Sequence, residues 1–181
     1  MKRNALKRAA IAPLAAIIPL ALSSGGCGYH VAGKADLLPK SIQSIAVPAF
    51  GNNTIRYHLA DQIGTQITRE LISRTRYDVV SDVNRADAIL QGTLVNAMGY
   101  PTVFDQATGR AAGVMVIAII QVTLRERETG KVLFTRPAME FRERYEISTD
   151  PKAYFEENSV AMNRLARDVA RSIVSAVLEN F

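Results

Sequence analysis

The residues able to do chemistry are few: one cysteine (Cys27), two histidines (His30 and His58), scattered carboxylates and a set of arginines. No HExxH, no Cys/His ligand cluster, no GxSxG and no phosphate-cradling glycine loop is present. His58 falls in the first turn of an expected helix, where the dipole disfavours a cation. Asp82 and Asp87 could meet in space, yet a turn rich in Asp and Asn explains them without a site. Six cations, Arg125, Arg127, Lys131, Arg136, Arg142 and Arg144, cluster on the last hairpin in sequence, and Arg110 stands in the loop before it. Forked guanidinium groups suit phosphate. These residues are therefore the candidates for an anionic ligand, set against a salt-bridged and solvated sheet face.

The setting of Cys27 is more specific. Lys2, Arg3, Lys7 and Arg8 form a cationic start, residues 9–22 carry no charge, and Ser23, Ser24, Gly25 and Gly26 lead to the cysteine. A positive start, a short apolar middle and a small-residue exit form the pattern of a secretory signal. Fourteen residues fall short of the ~20 needed to cross a bilayer, and Pro13 and Pro19 would break a helix there. A lone cysteine at this junction resembles the lipid-modified first residue of bacterial lipoproteins, although Ser24 stands where that class prefers Leu. The reading is a cleaved signal over 1–26 and a single domain over 27–181, held on a membrane by acyl chains on Cys27. Gly28, rather than Asp, follows the cysteine, which in that class favours the outer membrane.

Four of the 22 Lys and Arg lie in the first 26 residues, leaving 18 against 17 acids. The whole-chain net charge of +5 thus belongs mostly to the signal, and nucleic-acid binding has no electrostatic support. The remaining length suffices for one domain burying ~70% of its unfolded surface. With Cys27 acylated no disulfide is available, so packing must hold the fold.

The elements follow from periodicity. Residues 44–50 read as a strand whose Pro48 favours an edge or an end, and Asn52, Asn53 and Thr54 offer helix caps. Ile55, Leu59, Ile63, Ile67 and Leu71 recur every four residues and predict a helix over 55–74. Gly64 within it suggests a close helix–sheet contact. A short strand is expected at 77–80, and before the fold proper a further short edge strand at 29–33. Three longer strands follow: 88–100, with Leu90, Leu94, Met98 and Tyr100 on one face; 114–127; and 132–147, where Pro137 implies a bulge or an edge. A loop is expected over 101–113 and a final helix over 153–178. The expected fold class is α+β, a two-layer sandwich with two helices on one face of a mostly antiparallel, roughly four-stranded sheet.

One strand breaks the usual alternation. Residues 114–127 place Val114, Val116, Ala118, Ile120, Val122 and Leu124 on one face, but Met115, Ile117 and Ile119 also make the opposite face apolar. An antiparallel sheet covered on one side normally shows polar residues on the other. Either the 101–113 loop folds over these three side chains, or they meet another protein or an acyl chain.

Taken in order, the mature chain resembles the LPS-assembly lipoproteins of the LptE family. The resemblance rests on Cys27-Gly28-Tyr29-His30 with Gly33, Leu38-Pro39 ahead of Ile42 and Ile45, and Val47-Pro48-x-Phe50 with Asn52, Asn53 and Thr54. It continues through Glu70-Leu71, Val79-Val80, Ala86-Asp87-Ala88-Ile89-Leu90-x-Gly92 and Thr129-Gly130-Lys131. It implies an outer-membrane lipoprotein on the periplasmic side that sits in the lumen of a large β-barrel partner, LptD. There it would plug the barrel, help it assemble and contact lipopolysaccharide, with no enzymatic activity, metal or cofactor. Lipopolysaccharide contact would be sought in the 101–113 loop and at the start of the last helix, which offer Arg110 and Lys152 beside Asp105, Glu156 and Glu157. The rival reading is an outer-membrane lipoprotein that binds anionic glycolipid in the periplasm without a barrel.

Overall fold

The computed structural model describes residues 38–147 and 151–179, the side chains of 151–157 excepted. Cys27 and the expected strand at 29–33 lie outside the described residues. Strand β1 (Ser44–Ala46) is followed by β2 (Gly51–Asn52), helix α1 (Tyr57–Arg74), β3 (Asp78–Val80), a 3₁₀ turn at Val83–Arg85, and then β4 (Ala88–Phe104), β5 (Ala111–Glu126), β6 (Val132–Glu146) and helix α2 (Pro151–Glu179). The α+β class stands, but the sheet is mixed and six-stranded rather than four-stranded and mostly antiparallel. Its order is β3-β1-β4-β5-β6, with β2 also against β4.

The difference has a simple origin. β1 and β3 are joined through α1, and a helical crossover returns the chain in the same direction, so β1 runs parallel to both β3 and β4. β2 also runs parallel to β4, at Gly51↔Thr93 and Asn52↔Leu94. Of the strand expected over 44–50 only β1 remains, ending ahead of Pro48, which has no amide to give the ladder, and the lane resumes as β2 at Gly51–Asn52, where a turn was expected. Only β4, β5 and β6 form an antiparallel meander.

Both helices cover one face. Leu59, Ala60, Ile63, Ile67 and Leu71 of α1 are buried with Met162, Leu165, Ala166, Val169, Ala170, Ile173, Val174 and Val177 of α2. They pack on Leu90, Leu94, Val116, Ala118, Ile120, Val122 and Leu124 of the sheet. Ile55, expected in the α1 stripe, is 88% exposed. The helix starts two residues later because Asn52 Oδ1 accepts from the Thr54 amide and hydroxyl, and Thr54 Oγ1 accepts from Arg56 N. That turn, rather than a side-chain cap, delivers the chain to α1.

Two contacts tie the parallel half to the meander. The Phe50 ring lies on Gly92, where a Cβ would come within 2.1 Å of it, whereas a Cβ on Gly64 would meet Phe50 only at 3.8 Å. The helix glycine is thus not demanded by a close approach, but the strand glycine is. Asp87 forms the second tie: its Oδ2 accepts from Gln43 N (2.9 Å), Ser44 N (2.9 Å) and Ser44 Oγ (2.8 Å). Its own amide donates to Ser44 Oγ at 3.0 Å. The Gln43 amide foremost, then the Ser44 hydroxyl and amide and the Arg127 charge, hold the Asp87 carboxyl below the usual carboxylate range despite opposing desolvation.

Two predictions follow from these ties. Gly92→Ala should destabilise by ~2–3 kcal/mol through overpacking, while Gly64→Ala should be neutral or stabilise by up to ~1 kcal/mol; urea midpoints of the two variants should move in opposite directions or the second not at all. Asp87 stabilises the fold fully above its unfolded value of ~3.9 and loses that contribution as pH falls through its lower folded value. Asp87→Ala should therefore lower stability at neutral pH and flatten the acid limb of a stability–pH curve between pH 5 and 2, as followed by thermal melting.

Candidate interaction surface

A β-bulge sets the composition of the sheet's open face. Leu94 pairs with Ile120, both facing the helices, but Asn96 pairs with Ile119. One extra residue, at Val95, shifts the alternation by one, and the side chains of β4 from Asn96 to Pro101, where the register next shifts, change sides. Met98 and Tyr100, expected to share a face with Leu90 and Leu94, therefore stand on the open face, opposite Ile117 and Met115. On the other flank β6 pairs Glu140 with Ile119, Arg142 with Ile117 and Arg144 with Met115. The result is a three-by-three block of Asn96, Met98 and Tyr100, then Ile119, Ile117 and Met115, then Glu140, Arg142 and Arg144.

Within this block Met115, Ile117 and Ile119 are half-buried, while Met98 and Tyr100 are 50% and 45% exposed. Partial shielding comes from the neighbours, since long side chains lay their methylenes beside an apolar row and keep their charge in water. The Tyr100 hydroxyl lies 3.6 Å from Met98 Sδ, and Arg142 Nε donates to Glu140 Oε1 at 2.7 Å. The 101–113 segment does not fold over the row. Most of it extends β4 and β5 into a longer hairpin, whose turn is fastened by Asp105 accepting from Ala107 N, Thr108 N and Thr108 Oγ1, with Gly109 at φ +67°. These hydrogen bonds, the Thr108 hydroxyl first, also draw the Asp105 carboxyl below the ordinary carboxylate value. From Met98 to Phe104 both sides of β4 are exposed, so the hairpin reaches past the helical layer.

The seven candidate cations for an anionic ligand are exposed but are not gathered into one site. Arg110 and Lys131 lie beyond opposite ends of β5, whose 16 residues span roughly 50 Å. Arg127 is occupied in holding the fold: its Nε donates to Ala86 O at 2.7 Å, its amide donates to Asp87 O, and its guanidinium pairs with Glu128. Arg125 faces the open side near that same end, opposite Val132. Only Arg142 and Arg144 sit together, beside the apolar row. Arg136, one bulge away from them, is on the helix side of β6 and stacks on Phe134 at 5.1 Å. That bulge, between Ile120 and Val122 in the β5 register, falls at Pro137 on an edge strand, so both expectations for this proline hold.

The carboxylates do not assemble a site either. Asp82 caps Asn84 N, and Asp87 serves Gln43 and Ser44. Among the described residues no cluster of His, Cys, Asp and Glu could hold a metal ion, and no helix is long and apolar enough to cross a membrane. The alternation of β5 revealed half of the apolar block. The other half was hidden by the bulge, whose one sequence signal is Asn96, a polar residue at a position the Leu90–Leu94 alternation assigns to the core.

The fold is shared with solved structures at low identity. Uncharacterized lipoprotein B from Nitrosomonas europaea superposes with a TM-score of 0.52 at 16% identity, over 79% of this chain and 90% of that one. A protein of Caulobacter crescentus gives 0.52 at 13% identity, over 74% and 88%. A hypothetical protein of Chlamydia trachomatis gives 0.50 at 11% identity, over 75% and 96%. None of the curated proteins matches. A family model described as LptE, lipopolysaccharide-assembly, matches residues 42–177, from two residues ahead of β1 almost to the end of α2. The chain belongs to the lipopolysaccharide-assembly family LptE.

Proposed function

We propose that this protein is a lipid-anchored, non-enzymatic component of lipopolysaccharide assembly at the outer membrane, where it plugs and helps assemble a large β-barrel partner of the LptD kind. Residues 1–26 are the cleaved signal and Cys27 is the acylated first residue of a single mature domain, 27–181. Family membership supports the role in assembly. The observation that carries the docking reading is the open-face block, in which Met115, Ile117 and Ile119, flanked by Met98 and Tyr100, leave an apolar centre that the helices do not cover. A rigid domain with an apolar centre among charged neighbours suits a plug that must contact mixed side chains inside a barrel lumen.

Lipopolysaccharide contact falls to Arg142 and Arg144, the two cations beside that block. The reading as a glycolipid-binding module without a barrel has less support, because Arg110, Arg125 and Lys131 lie far from them or from one another and Arg127 is engaged within the fold.

Affinity purification of the chain from detergent-solubilised outer membranes should recover a barrel several times its size, and intact mass should place the mature N-terminus at an acylated Cys27. Ile117→Lys should reduce barrel recovery by ~10-fold, the loss expected for one apolar anchor, with the melting temperature held within a few degrees. Arg142→Glu with Arg144→Glu should weaken lipopolysaccharide binding and leave barrel recovery unchanged. An unmodified Cys27 in a chain purified alone would overturn the reading.

A further inference from the structure

The two long margins of the sheet are built differently. β6, at one edge, carries Arg136, Glu140, Arg142, Glu143, Arg144 and Glu146, a proline and a bulge. Charges, prolines and bulges are the devices by which sheets discourage pairing with another chain. The other margin is the outer side of β4. β1 pairs with it at Ala88 and Ile89, and β2 at Thr93 and Leu94, with Asn53 N donating to Leu94 O at 3.0 Å. The Asn52–Thr54 turn then takes the chain away to α1. Beyond Leu94 no described strand occupies this lane. β4 has a bulge at Val95 and a proline at 101, as β6 has its own, but residues 91–104 contain no charged side chain, and that is what sets this margin apart.

We propose that the lane along β4 from Asn96 to Tyr100, which no described residue occupies, receives an extended strand of the protein partner, which continues the line of β2 and adds to the sheet. This rests on the barrel-partner reading above and specifies how that partner is held. The occupant is a peptide strand because only a strand satisfies a row of outward backbone N–H and C=O groups. Acyl chains would leave these groups unpaired at a cost of several kcal/mol each. The surroundings select its side chains. On the open side they meet Met98 and Tyr100. On the helix side the nearest charge is Arg56, whose guanidinium lies 3.6 Å from where a Gly99 Cβ would stand, beside the exposed Ile55 and Tyr57. The strand is thus apolar where it faces Met98 and Tyr100, and neutral or acidic where it faces Arg56.

Amide hydrogen exchange of the full-length lipidated chain, alone and co-purified with the barrel in the same detergent, tests this. The outward amides within residues 96–100 should slow by at least ~10-fold in the complex. Val95→Lys with Met98→Lys should lower barrel recovery by a similar factor, whereas Ile72→Lys, on the outer side of α1, should not. A co-purified barrel with unchanged exchange along 96–100 overturns the strand-addition proposal and leaves the proposed function standing. Concentration-dependent protection of the same amides in the chain alone assigns the lane to a second copy and also overturns it. Recovery of the chain with no barrel overturns both readings.

Discussion

Strand pairing has a period of two, and in this sheet that constraint controls more than packing. The helices cover one face only, so whatever the alternation sends to the other face is presented outward. Without the bulge at Val95, Met98 and Tyr100 would point toward the helices with Leu90 and Leu94, and the row Met115, Ile117 and Ile119 would have only Val95, Ala97 and Gly99 on its β4 flank. With it, the two strands present their apolar residues side by side. A bulge commonly marks a place where a strand must re-aim its side chains. Here it divides β4 into a lower part that builds the core and an upper part that builds a surface.

The sheet joins two architectures. The first half is a parallel unit, with β1 and β3 joined by α1 and the Ile45–Ala46 part of β1 buried; the second half is an antiparallel meander with one open face. They meet on β4, and the meeting is fixed by local chemistry. Phe50 occupies the space a side chain at Gly92 would fill, and the Asp87 carboxylate gathers the amides that begin β1. Arg127 reaches back from the end of β5 to the Ala86 carbonyl and closes the same corner. Residues that looked like candidates for acid–base or anion chemistry are, at this corner, the fasteners of the fold.

Much of this was legible from residue patterns. The four-residue recurrence in α1, the broad apolar face of α2 and the double-sided apolar run in β5 follow from periodicity, and the bulge at Pro137 from the amide that proline lacks. What was hidden has physical reasons. Strand direction is not written in alternation, so the parallel half had to come from the crossover. The bulge at Val95 leaves a single polar residue, Asn96, as its trace. The segment 101–113, with Pro101, Gly109 and Gly113, resembles a loop because β-hairpin extensions that project past a core need no apolar alternation to stay paired. The scattering of the cations could not be read either, since neighbours in sequence along a 16-residue strand end far apart in space.

The pairing of β1 also bears on how such a chain assembles. Ile45 is in register with Val79 and Ala88, and β4 is itself closed by β5, whose Glu126 lies opposite Ala88. A polypeptide that crosses a membrane amino-terminus first therefore delivers its earliest strand long before the neighbour that completes it. The β4–β5–β6 meander, by contrast, needs only short-range closure and forms as soon as it arrives. The earlier-emerging β1 segment is thus secured later than the meander, and Phe50 stays bare until Gly92 has emerged, a window during which escort proteins would have an apolar handle to hold.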